Sequence, residues 1–136
     1  MVHAGTNYLA VLVAAIVGFG VGAVWYGILG KQWMKVVGLD EDPARRRDPM
    51  PFVIAGVADL VMAFVLAGAI GHLGPGQVTV FNGVVSAAIL WTGMVATTVA
   101  VNNAFAQRPW RLTAIDAGHW LAVLVAMGIV IGVFGE

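Results

Sequence analysis

Four long stretches of apolar residues, uncharged or nearly uncharged, dominate the chain and are separated by short polar segments. Each is close to the roughly 20 residues that a helix needs to cross the hydrocarbon core of a bilayer. The pattern predicts an all-α integral membrane protein with transmembrane helices at residues 8–29, 52–73, 82–105 and 113–134. The 136 residues then form a single four-helix transmembrane domain.

The breaks between the stretches carry the next layer of information. Residues 31–51 hold Lys31, Lys35, Arg45, Arg46 and Arg47 against Asp40, Glu41, Asp42 and Asp48. Residues 74–78, GPGQV, read as a tight uncharged turn. Residues 107–112 add Arg108 and Arg111. In a four-span chain the first and third connections share one side, and here they contain all 7 Lys and Arg residues, whereas the side with both termini has none. By the positive-inside rule both basic loops are expected in the cytoplasm and both termini outside. Trp33 and Trp110 would mark the cytoplasmic interface. The first stretch has no Lys or Arg before it and no small-residue cleavage site after it, so it reads as a retained helix and not as a signal peptide.

Composition narrows the function classes. A 60% hydrophobic content and a mean hydropathy of +0.91 exceed what a soluble chain of this size can bury. The 7 basic residues are balanced by 7 acidic ones, which leaves no excess to neutralise phosphates and argues against a nucleic-acid partner. With no cysteine there is no disulfide or thiolate chemistry. No phosphate-binding loop, nucleophile elbow, HExxH or dinucleotide fingerprint is present, so no catalytic residue is assigned. His3 and His72 fall on the outer side without enough ligand support for a metal, and His119 has no second histidine at its depth to share a haem; no cofactor is expected.

Small residues punctuate the spans. Gly18 and Gly22 form one GxxxG pair and Gly128 and Gly132 another, a spacing that permits close backbone approach between helices in lipid. The seam served could lie inside one bundle or between copies of the chain.

The polar residues within the spans are the functional candidates. Asp48-Pro49 reads as a helix cap and first-turn proline, and seven residues beyond Phe52 put Asp59 roughly 10 Å deep, where no cap explains a carboxylate. A charge near the bilayer centre costs at least about 2.5–3.5 kcal/mol, so Asp59 should face protein or water and have a partner, or else be protonated. Thr113 and Asp116 fit a capping box, with Thr113 as N-cap. His119 shares a face with Asp116 at i, i+3. Thr98, Asn102 and Asn103 on the third helix and Trp25 and Tyr26 on the first reach similar depth from the same side. The expected polar cluster is therefore Asp59, His119, Asn102, Asn103, Thr98, Tyr26 and Trp25, with Asp59 and His119 as first partners.

The early Asn7-Tyr8 pair, GAVWYGILGKQWMK at 22–35 and the NNAF and RPWRLTAIDAGHWL segments within 102–121 resemble the uncharacterised bacterial membrane protein family known as domain of unknown function number 1761. The resemblance implies a small protein of about four helices in the cell (inner) membrane and brings no activity or substrate with it. Three functions stay open: a non-enzymatic membrane protein, oligomeric or accessory to another membrane protein, in which the cluster orders the bundle; a small transporter or ion-conducting protein using Asp59 and His119; and a membrane-embedded enzyme acting on a lipid or quinone, with His119 oriented by Asp116.

Overall fold

The computed structural model describes residues 4–38 and 48–136. His3 and the Asp40–Asp42 and Arg45–Arg47 charges of the first loop lie outside the described residues. Four helices follow in order: α1 (Tyr8–Val37), α2 (Met50–Gly71), α3 (Val80–Phe105) and α4 (Trp110–Phe134). All four are long and apolar enough to cross a membrane, and the protein is an all-helical, multi-pass bundle.

Local chemistry sets the ends. The Asn7 side chain accepts the Ala10 N–H to open α1, and Gly38 closes it in the left-handed region at φ 76°, its N–H returning to Met34 O. α1 thus runs eight residues past the expected end at Leu29. Lysine is a good helix former, so Lys31 and Lys35 do not stop the helix; at about 1.5 Å per residue, 30 residues reach about 45 Å and carry both lysines beyond the apolar layer. The Asp48 carboxylate accepts the Met50 N–H at the start of α2, and Thr79 Oγ1 accepts the Asn82 N–H at the start of α3.

α4 corrects the expected cap. It begins at Trp110 behind Pro109, three residues before Thr113, so Thr113 lies inside the first turns and caps nothing. The extended Pro109 already ends the turn from α3, and the Thr113 hydroxyl instead accepts a hydrogen bond from Asn103 Nδ2 at 3.1 Å. Arg108, just before this helix, donates to Val37 O at 3.0 Å and satisfies a free carbonyl at the end of α1.

α4 is the hub: it packs on α1, α2 and α3, whereas among the described residues α1 and α3 do not pack on each other. Both glycine pairs serve this hub. Gly18 on α1 faces Met127 and Val123, and Gly22 faces the His119 ring. Gly128 lies against the backbone of Gly83, and Gly132 against that of Thr79 and Val80, so α3 and α4 touch main chain to main chain. The GxxxG spacing is used inside the chain, and Gly83 is the unforeseen partner.

The two halves of the bundle differ. The close-packed core, with Val11, Ala14, Ala63, Leu66, Ile70, Ala87, Val123, Met127 and Ile131, occupies the half nearest the termini. That end is tied further by the Ala4 N–H to Gly71 O and by the Gly76 N–H to the Glu136 carboxylate. In the other half, which carries the basic loops, α2 and α3 stand apart among the described residues. α3 contains a π-helical stretch, Trp91–Ala96, and such stretches bend a helix. Before it α3 contacts α2; after it, among the described residues, it contacts α4 but not α2.

Candidate functional site in the basic half of the bundle

The divergence leaves a cavity of about 720 Å³ between all four helices. Each helix contributes one face. Phe19, Tyr26 and Trp33 recur every seven residues on α1, with Gly22, Ala23 and Gly27 between them. Phe52, Ala55 and Asp59 come from α2 at i, i+3, i+7. Val99, Asn102 and Asn103 come from the last turns of α3, and Asp116, His119 and Trp120 from α4.

Two of these groups have no partner. Asp59 is 4% exposed and His119 is 9% exposed, yet Asp59 Oδ1 and His119 Nδ1 make no hydrogen bond among the described residues. The direct pairing expected between them is therefore not formed through these atoms. Buried polar atoms are nearly always satisfied, so two orphans lining one cavity mark it out. The His119 ring is held sterically: Tyr26 lies at 4.8 Å between ring centroids, Trp120 at 4.4 Å, and Gly22 leaves the space for its Nε2 edge.

Tyr26, Asp116 and Asn103 are closed by hydrogen bonds between helices. Tyr26 donates its hydroxyl to Asp116 Oδ1 at 2.7 Å, joining α1 to α4. Asp116 thus binds a neighbouring helix at the cavity wall and does not cap α4, a second correction to the expected capping box. The sequence spacing also groups Trp25 and Thr98 with the cluster, but neither lines the cavity. Trp25 donates its indole N–H to Ile115 O at 3.1 Å, and Trp91 donates to Ala117 O at 2.7 Å from the opposite side, so two indoles clamp α4 just before His119. Thr98 turns its hydroxyl back to Met94 O, the usual refuge of a threonine on a helix.

The aromatic wall of Phe19, Trp33, Phe52 and Trp120 was missed as part of the site. The seven-residue spacing of Phe19, Tyr26 and Trp33 was the available signal, but in an all-apolar span it looks like ordinary lipid-facing or packing residues. Among the described residues, no group of three His, Asp or Glu side chains could hold a metal.

These features define a four-helix membrane protein packed shut in one half and hollow in the other, with an aromatic cavity bearing two buried, unpaired polar groups. The chain belongs to the family described as Protein of unknown function (DUF1761), whose model matches residues 9–132. No curated protein and no solved structure matches it.

Proposed function

We propose that this is a membrane-embedded binding protein for a small molecule with an apolar body and a polar head, seated in the 720 Å³ cavity with its head between Asp59 and His119. The observation that carries the reading is that Asp59 and His119, two residues lining one cavity, each keep a buried polar atom, Oδ1 and Nδ1, without a hydrogen-bond partner among the described residues. Small-molecule sites commonly occupy 300–1,000 Å³, with mostly apolar walls and a few convergent polar groups.

The other readings have less support. A cluster whose task is to order the bundle would close its hydrogen bonds, as Tyr26–Asp116 and Asn103–Thr113 do, whereas Asp59 and His119 leave theirs open. A pore would need polar lining through the half nearest the termini, where Leu66, Ile70, Val123 and Met127 are fully buried. An enzyme using His119 oriented by Asp116 would want a bond between them, and the bond Asp116 makes is to Tyr26.

The positive-inside rule orients this cavity toward the cytoplasmic leaflet of a bacterial inner membrane, with both termini outside. A homo-oligomer or an accessory contact would use α3, the helix least covered by its neighbours, since the glycine pairs face inward.

Mass spectrometry of small molecules extracted with the protein in polymer nanodiscs tests the binding. Gly27 lines the cavity and a Cβ there meets nothing within 4 Å, so a side chain has room to leave the backbone and Gly27→Leu takes up cavity space. A compound retained by the native protein and lost from Gly27→Leu is expected; identical extracts from both proteins would count against a cavity ligand.

A further inference from the structure

Resting on that binding reading, we infer that the polar head of the ligand is an organic cation, delivered from within the bilayer through the gap between α2 and the last turns of α3. Two carboxylates, Asp59 and Asp116, line the cavity, and among the described residues no Lys or Arg does. Asp116 already accepts the Tyr26 hydroxyl, which leaves Asp59 as the buried cavity carboxylate with an oxygen, Oδ1, that has no hydrogen-bond partner among the described residues.

An anionic head, such as a lipid phosphate, would meet two negative groups and no compensating cation in a region of low dielectric. A bare metal ion is equally ill matched, because hard cations gather six or more oxygen ligands and these walls are largely apolar. An organic ammonium or phosphonium needs one counter-charge and polarisable walls. Trp33, Phe52 and Trp120 line the same cavity as the carboxylate, and ring faces attract cations most strongly away from water.

The route follows from the helices. After the π-helical stretch α3 leaves α2, so among the described residues no helix contact closes the cavity on that side. Phe52, on the cavity wall, is itself largely exposed. The half nearest the termini is packed with core residues, so an apolar body reaches the cavity sideways from lipid, with its charge led to Asp59.

The test is a titration of the full chain in phosphatidylcholine nanodiscs, read by quenching of tryptophan fluorescence against empty nanodiscs. Three probes are compared: tetraphenylphosphonium, tetraphenylborate, which has its shape with the opposite charge, and the short-tailed neutral quinone ubiquinone-1. Saturable quenching by tetraphenylphosphonium alone is expected, weakened about tenfold or more in Asp59→Asn and retained in Asp59→Glu. Saturable binding of the quinone or the borate in preference to the phosphonium, abolished by Gly27→Leu, would overturn the cationic head and leave the binding reading standing. Equal phosphonium affinity in the native protein and Asp59→Asn would overturn the role of Asp59, and the absence of saturable phosphonium binding would overturn the inference outright.

Discussion

Replacing Asp59 with leucine should make the protein more stable. In a native bundle held together by its polar cluster, removing a carboxylate breaks bonds and costs stability. Here Asp59 is buried, seven residues or roughly 10 Å along α2 from Phe52, and Oδ1 has no partner to lose. Insertion scales put the cost of an aspartate at the centre of a spanning helix at about 2.5–3.5 kcal/mol. Hydration of the neighbouring cavity relieves part of that cost, so Asp59→Leu is expected to gain about 1–3 kcal/mol. The assay is reversible unfolding in mixed micelles by increasing the fraction of dodecyl sulfate, followed by tryptophan fluorescence, with Asp59→Asn as the near-isosteric companion. A loss of about 1 kcal/mol or more in both variants would refute the reasoning, because it would mean that the carboxylate makes native bonds. The same variants should lose the cavity ligand, separating stability from function in one residue.

Other substitutions read other parts of the structure. Gly128→Ala would put its Cβ 2.6 Å from the Gly83 carbonyl carbon, against about 3.4 Å for an ordinary contact, so α3 and α4 must part by most of an ångström; a loss of about 1–3 kcal/mol in the same unfolding assay is expected. Gly22→Ala would bring a Cβ to 2.7 Å from His119 Nε2; the ring must move, and its nitrogen NMR shifts should change while the helical circular dichroism does not. Trp91→Phe removes the indole donor to Ala117 O and should cost about 0.6 kcal/mol, the average for an interhelical hydrogen bond in a membrane protein. Thr113→Ala should leave helix content unchanged, since Thr113 caps nothing; a marked loss of helicity would restore its expected capping role.

The spans were legible in the sequence because a bilayer demands some 20 apolar residues of any helix, and that demand outweighs finer signals. Ends were less legible. Lys31 looks like the first residue of a loop, yet a helix that protrudes from the membrane can carry lysines, and only the turn at Gly38 stops α1. Thr113-Ala-Ile-Asp116 matches a capping box as well as any true one, but Pro109 starts the helix a turn earlier and the aspartate finds Tyr26. The polar candidates were visible as residues that have no business in lipid. Which of them meet depends on how each helix is rotated and bent, and one sequence does not encode that openly. Thr98 and Asn102 share a stripe at i, i+4, but the hydroxyl satisfies itself on its own helix and only the amide lines the cavity. The π-helical stretch that opens the cavity has no compositional mark in WTGMVA, and a lone Gly83 gives no hint that Gly128 lies opposite.

The central claim is that Asp59 and His119 face a ligand and not one another. An experimental density map of the protein in lipid nanodiscs, obtained without removing native lipids and small molecules, tests it most directly. The account predicts a non-protein density in the cavity with an atom within hydrogen-bond distance of Asp59 Oδ1 or His119 Nδ1. A cavity collapsed so that both atoms are bonded to side chains of the protein itself would contradict it.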